Sequence, residues 1–412
     1  MVTVSHPTGN ANLRAALDGL EAAGLLECFY TAIATFPGNT FDKLGQIGPF
    51  NDFNRRAYSP ALEIHTHLFP WLELGRLLAT RLGLKRLTRH ETGPLSVDAI
   101  YRSLDKRVAN RLRRKRTQAI YAYEDGAAYS FEVAKQLGLS TLYDLPIGYW
   151  RASRKLLGQV ATDHPDWAMT IKGMQDSEEK LARKDREIAL ADHIYVASSF
   201  TAKTLEDYPE QLPPVSVIPY GFPTPVTNRK YENAQGRPLR LLFVGGLSQR
   251  KGLLEMFQAI APFGKRIELT VIGRLPEEAC PPLNEYLAKH RYIESLPHRE
   301  ILRTMQQHDV LLFPSHFEGF GLVITEAMSQ GTPVITTERT AGPDLITQGQ
   351  DGYVVPAGSA EAISELLEEL LVRPQTVAEL GRAAVRTAAG RPWSKYGYEL
   401  ATSVAQQVTR YA

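Results

Sequence analysis

HFEGFGLVITEAMSQGTPVI, residues 316–335, carries two glutamates, Glu318 and Glu326, with a Gly-Phe-Gly turn between them. A strand over Val310–Phe313 is predicted just before the stretch, and a helix beginning near 319–322. Acids at a helix start can simply complement the helix dipole, at about 0.3–1 kcal/mol each, but that leaves the glycines unexplained. Gly319 and Gly321 have no side chains, so a ligand can come close to the backbone amides there. Unpaired N–H groups at a helix N-terminus suit a phosphate, and carboxylates accept hydrogen bonds from sugar hydroxyls. Glu318 in the loop and Glu326 about one turn into the helix therefore read as hydroxyl acceptors flanking a phosphate site. That is the outline of a sugar joined to a nucleotide through a diphosphate.

The surrounding chain sets the frame. Its 412 residues are too many for one ordinary core and predict two domains. A hydrophobic share of 43% with 22% charged residues is that of a soluble globular protein, and a net charge of +2 argues against a general polyanion binder. Cys28 and Cys280 lie far apart without metal-ligand spacing and read as reduced thiols. No secretory leader is read at the N-terminus, and no run approaches the ~20 apolar residues of a membrane span. The expected location is the cytoplasm or the inner face of the membrane.

Short apolar runs alternate with helical patterns, the signature of parallel α/β architecture. Strands are predicted over residues 2–5, 27–34, 61–65, 119–123, 141–145, 193–197 and 215–219, with helices over 12–23 and 178–190. FPTPVTNRKYENAQGRP, residues 222–238, has neither period and reads as an interdomain linker. The pattern then restarts. Strands are predicted over 239–244, 267–272, 310–313 and 333–337, and helices over 252–261, 299–307 and 360–371. Domains are thus expected over 1–221 and 239–390, with 391–412 following as a terminal helix. Ligands of such folds gather beyond the carboxyl ends of the strands. GFGLVI (319–324) fails as a dinucleotide fingerprint because position 324 is Ile, and no GxxxxGK[ST] loop exists. No Asp-x-Asp pair offers a site for nucleotide-bound Mg²⁺.

Five further stretches accompany the Glu-x7-Glu pattern: ADHIYVASSF (191–200), VIPYGF (217–222), LLFVGGLSQRKG (241–252), HDVLLFPS (308–315) and QDGYVVPAG (350–358). Together they resemble the family 4 retaining glycosyltransferases of the GT-B fold, of the kind that build bacterial glycans. The resemblance is dense over 190–372 and thin before 115. It implies two Rossmann-like domains facing across a cleft, the second binding the donor and the first the acceptor, with the last helix crossing back to the first domain. It also implies that Glu318 touches the donor sugar, that Glu326 binds ribose hydroxyls, and that the amides at Phe320 and Gly321 face the diphosphate or sugar.

Two departures stand out. Members often carry Gly-Arg-Leu where this chain has Gly245-Gly246-Leu247. Lys251 matches the lysine that follows in the family. Arg250 beside it reads equally as a second charge or as a solvated residue at a helix start. In the first domain, Tyr123 of IYAYEDGA (120–127) stands where many members have a histidine. His65 and His67 would share one face of a strand, where packing or a loop hydrogen bond is the plainer explanation. Glu124 and Asp125 are better acceptor-side candidates. Gly9 and Asn10 fit either close approach to a ligand or ordinary turn chemistry. The site expected is Lys251, Glu318 and Asp125 for catalysis, with Gly246, Arg250, Gly319, Phe320, Gly321 and Glu326 also holding the donor.

The implied reaction is retaining transfer from a UDP- or GDP-linked sugar to a glycan or lipid-linked saccharide, with neither metal nor other cofactor. Lys251, Arg250 and the helix start would stabilise the departing diphosphate. One rival is a glycoside hydrolase using both glutamates. Another is a noncatalytic nucleotide-sugar-binding subunit of a polysaccharide synthesis complex. Residues 81–117 hold twelve Lys or Arg against three acids, densest in RLRRKR (111–116). LFPWLELGRLLATRLGLKRL (68–87) interleaves apolar and basic residues as surface-lying segments do. A solvated helix face is the plain reading; docking on an anionic membrane is the functional one. No nucleic-acid-binding module is recognisable.

Overall fold

Two wholly parallel sheets organise the chain. The computed structural model describes residues 1–47, 53–113, 117–171, 175–231 and 235–410. In the first domain the strands are β1 (Val2–Ser5), β2 (Leu26–Thr31), β3 (Thr66–Leu68), β4 (Ala119–Tyr123), β5 (Ser140–Leu145), β6 (His193–Val196) and β7 (Val215–Val217), in the order β3-β2-β1-β4-β5-β6-β7. In the second they are β8 (Leu239–Val244), β9 (Ile267–Ile272), β10 (Arg291–Ile293), β11 (Val310–Phe313), β12 (Val334–Thr337) and β13 (Gly352–Val355), ordered β10-β9-β8-β11-β12-β13. The pairings on both sides of β1 and of β8 are parallel. Each sheet reverses its winding beside its first strand, which opens crevices past the ends of β1 and β4 and of β8 and β11. Crevices of this kind are where open α/β sheets bind ligands.

Strands covered on both faces read as continuous apolar runs, and the predicted limits of β8, β9 and β11 coincide with the observed ones. The strand expected over 61–65 is instead a 3-10 helix, Pro60–His65, and β3 starts only at Thr66. Pro60 sits in its first turn, where a fixed φ and a missing N–H favour helical geometry. His65 and His67 consequently do not form a pair on one strand face. The Nδ1 of His65 lies 3.2 Å from the Glu27 carbonyl, while His67 stacks on Tyr30 with ring centroids 5.0 Å apart. Of the basic run 111–116, Arg111 lies in the helix Val97–Leu112. Arg114, Lys115 and Arg116 lie outside the described residues.

The segment after β7 has no regular structure but is anchored to the second domain. Val226 donates to the Ser329 carbonyl at 2.8 Å, and Arg229 donates to those of Gln330 and His308 at 2.9 and 2.6 Å. The last helix, Trp393–Arg410, returns to the first domain and lies against the helix Ala11–Ala22. A Cβ on Gly19 would overlap the Gly397 carbonyl oxygen, so the two helices approach through their glycines. The domains also touch directly. Trp167 packs on Phe257 and Tyr286, Thr170 Oγ1 accepts the Gln249 amide at 2.8 Å, and Asp344 accepts the Ser199 amide at 2.9 Å. Among the described residues no helix is long and apolar enough to cross a membrane.

Candidate active site

Beyond β8, Ser248 accepts the Arg250 amide and opens a one-turn helix, Gln249–Lys251. Gly252 closes it at φ +69°, where a Cβ would overlap the Pro314 carbonyl oxygen. Only glycine fits this left-handed position so close to backbone. The closure aims two cations at the loop beyond β11. Arg250 donates to the Phe317 carbonyl at 2.7 Å and to Glu318 Oε2 at 3.0 Å, and Lys251 pairs with the same Glu318 oxygen. The Lys251 ammonium also sits 4.5 Å from the centre of the Phe313 ring. Three of the residues singled out in the sequence thus converge at one switch point. Burial pulls Lys251 down to about 8 against the opposing field of Glu318. Burial alone would raise Glu318, but Lys251 and Arg250 more than offset it and hold the carboxyl below its usual range.

The Gly-Phe-Gly turn has a partly different use from the one expected. The Gly319 carbonyl accepts from Ser198 Oγ at 2.5 Å and Thr201 Oγ1 at 2.8 Å, both in the first domain. A Cβ on Gly319 would overlap the Pro146 carbonyl oxygen and stand 2.8 Å from Ile147 Cα. What approaches Gly319 closely is therefore the other domain's backbone. The Phe320 ring is buried against Tyr220, with centroids 4.7 Å apart. Gly321, at φ +88°, starts the helix Leu322–Ser329. No acceptor among the described residues takes the Phe320 and Gly321 amides. Glu326 projects from that helix to His298 Nε2 at 2.8 Å. Gly246 lies exposed beyond β8, with nothing within 4 Å of where its Cβ would stand.

Sequence reading missed the carboxylate that braces this turn. Glu255 is buried in the helix Leu253–Ile260, accepts from Gln249 Nε2 at 2.8 Å, and faces His316 Nε2 at 3.0 Å and His164 Nε2 at 3.4 Å. Burial pushes it up, but His316 and Gln249 outweigh burial and keep it ionised. It ties the Arg250–Lys251 turn to the loop holding Glu318, and through His164 to the first domain. LLEMFQAI reads simply as an apolar helix, and a lone acid within it gave no signal.

The acceptor-side residues gather past β1 and β4. Asn10 caps the helix Ala11–Ala22, its Oδ1 accepting the Leu13 amide at 2.9 Å, so its side chain serves turn chemistry. A Cβ on Gly9 would stand 2.5 Å from the Tyr58 hydroxyl, so protein rather than ligand crowds that glycine. Glu124 lies 3.4 Å from Lys184, and burial raises it to about 7 against that lysine's pull. Asp125, at φ +71°, stands within 4.0 Å of Lys180, Arg183 and Lys184. The cations come from one face of the helix Glu178–Leu190, at i, i+3 and i+4. Glu187, a turn further, accepts the amides of Asp125, Ala127 and Ala128 at 2.9–3.2 Å. With Asp105 it fills the start of the helix Ala128–Gln136, which leaves no room there for a phosphate. His6, absent from the expected set, follows β1 with its ring 4.6 Å from that of Tyr123, and burial lowers it to about 4. It is a neutral imidazole at physiological pH.

Two Rossmann-like parallel domains facing through these crevices are the GT-B architecture. Sucrose-phosphate synthase of Thermosynechococcus elongatus superposes on 100% of this chain and 99% of its own with a TM-score of 0.67 at 18% identity. Anabaena Alr3699/HepE, solved with UDP, superposes on 98% and 99% with a TM-score of 0.62 at 13% identity. Residues 227–387 match the family model described as Glycosyl transferases group 1. The D-inositol 3-phosphate glycosyltransferase of Corynebacterium diphtheriae is 30% identical over 273 residues, 58% of this chain and 64% of that protein. The capsular polysaccharide biosynthesis glycosyltransferase CapM of Staphylococcus aureus is 26% identical over 219 residues, 49% and 58% respectively. The aligned stretches thus span less than two thirds of either relative.

Proposed function

We propose that this chain transfers a sugar, with retention of configuration and without a metal, from a nucleotide-diphosphate donor to a glycan or lipid-linked saccharide. The convergence of Lys251 and Arg250 on Glu318 beside the Gly-Phe-Gly turn carries the reading. The two cations and the amides of Phe320 and Gly321 supply positive potential where a departing diphosphate gains charge. Glu318 accepts donor-sugar hydroxyls and Glu326 those of the ribose. The departing phosphate helps to take the acceptor proton, so the route needs no protein nucleophile. On the acceptor side Glu124 and Asp125, held by Lys180, Arg183 and Lys184, shape the crevice, and the basic stretch 81–117 brings the chain to an anionic membrane surface that presents the acceptor.

The test is calorimetry with UDP and GDP, followed by transfer from the matching radiolabelled sugar to a lipid extract with and without EDTA. UDP comes first because HepE, which shares this fold, was solved with UDP-glucose. Nucleotide binding with EDTA-resistant transfer supports the reading. Strict need for Mg²⁺ or Mn²⁺ removes the metal-free balance of charge, and binding without transfer leaves a noncatalytic subunit. Glu326→Ala is expected to weaken binding of the free nucleotide by about 1.5–3 kcal/mol, the worth of a hydrogen bond to a charged group. Unchanged affinity in the folded variant would remove the ribose assignment.

A further inference from the structure

One helix of the first domain is turned inside out. In Trp71–Arg81 the acid Glu73 is 1% exposed, sealed inward by ion pairs with Arg56 and Arg76. Three apolar residues point the other way: Trp71 is 79% exposed, Leu78 59% and, just past the end, Leu82 63%, while Leu72, Leu74 and Leu77 are half-buried and Ala79 is buried. Their spacing of seven and four residues places them on one stripe. A surface helix of a water-soluble domain normally shows the opposite arrangement. Leu84, whose amide donates to the Ala79 carbonyl, and Leu87 just after it are exposed as well.

A basic face adjoins the stripe. The guanidinium groups of Arg107 and Arg111 lie 5.3 and 5.0 Å from the centre of the Phe69 ring, two residues before Trp71. Arg107 and Trp71 line the same small recess. Lys85, Arg86 and Arg89 follow the stripe in sequence and are exposed. An exposed Trp-Leu stripe bordered by basic residues matches the two layers of an anionic bilayer surface, acyl boundary and headgroups.

We propose that the outward face of the helix Trp71–Arg81, with the basic residues bordering it, docks this protein on an anionic lipid bilayer, Trp71, Leu78 and Leu82 entering the interface. This deepens the proposed function and rests on it only for the placing of the acceptor. The bilayer would then present a lipid-linked acceptor beside the first domain while the donor arrives from water.

The full chain is sedimented with phosphatidylcholine vesicles, with and without phosphatidylglycerol, at low and high salt. Binding is expected to the anionic vesicles alone, with release as salt screens the charges. Leu78→Asp with Leu82→Asp should abolish that binding and keep the wild-type thermal shift with nucleotide, because both side chains are exposed and remote in sequence from the donor site. Replacing Lys85, Arg86 and Arg89 with Gln should lower partitioning roughly fivefold per charge removed, from about 1 kcal/mol each. Wild type that ignores anionic vesicles at low salt overturns the proposal, as does a double-aspartate variant that still binds. A wild-type dimer that the double variant dissolves would assign the stripe to a second copy instead, and also overturns it. Loss of nucleotide binding would fall on the proposed function, not on the docking face.

Discussion

Lys251→Ala is expected to cut turnover by about two to three orders of magnitude and to weaken nucleotide-sugar binding far less. Negative charge on the diphosphate grows as the sugar–phosphate bond breaks, so a cation fixed at that point binds the transition state better than the ground state. Loss of one preorganised donor at such a place commonly costs about 10²–10³ in turnover, or roughly 2.7–4 kcal/mol. Lys251 is preorganised in this sense: the Gly252 closure sets its backbone, while Glu318 and the Phe313 ring hold its ammonium. Arg250 remains in the variant, so activity should not vanish. The pH dependence has a definite sign. In the proposed reaction the charged form of Lys251 is the active one, and burial brings its pKa to about 8, so kcat/KM should decline as pH rises through that value. A bound diphosphate favours the charged form, which should move the decline in kcat to higher pH. Lys251→Arg, always charged, should remove the decline even where the altered geometry lowers the rate. Steady-state kinetics across pH with the wild type and both variants checks all of this. Equal losses in donor affinity and turnover for Lys251→Ala would reduce its role to uniform binding.

The crevice past β8 and β11 was legible because its elements carry strong local signals. LRLLFV, IELTVI and VLLF are unbroken apolar runs, and glycines mark the turns between strands and helices. Other features depend on tertiary distances that no local pattern encodes. β3, β10 and β13, of three, three and four residues, were not read as strands. Glu326 and His298 meet across 28 positions, and His164 reaches Glu255 from another domain. The Glu178–Leu190 helix was placed correctly, yet its use was not. Lys180, Arg183, Lys184 and Glu187 form one i, i+3, i+4, i+7 face, which in a helix covering a sheet should have been apolar. That inversion was visible in the sequence and marks the ion-pair cluster around Asp125. The helix Trp71–Arg81 shows a related inversion, with Glu73 inward and Trp71 and Leu78 outward.

Gly319→Ala is expected to lower transfer by roughly 5- to 150-fold while leaving the affinity for free nucleotide nearly unchanged. The new methyl would overlap the Pro146 carbonyl oxygen and crowd Ile147 Cα, both backbone atoms that cannot rotate away. Overpacking of this kind typically costs about 1–3 kcal/mol, which corresponds to that range of rates at roughly 1.4 kcal/mol per tenfold. The adjacent contact allows no easy relief. The Phe317 ring already fills the space beside Gly148, where an added Cβ would stand 2.5 Å from Cζ. Separating the loops would also break the bonds from Ser198 and Thr201 to the Gly319 carbonyl, so the two domains should move apart slightly. An increased radius of gyration in solution scattering, alongside wild-type nucleotide affinity, would mark the glycine as a domain contact. Gly246→Ala supplies the contrast, since its Cβ meets nothing within 4 Å and the fold should ignore it. A loss of donor affinity in that variant would report close approach of the ligand. Should Gly319→Ala instead weaken nucleotide binding with the scattering unchanged, its lack of a side chain would serve the donor, as the sequence first suggested.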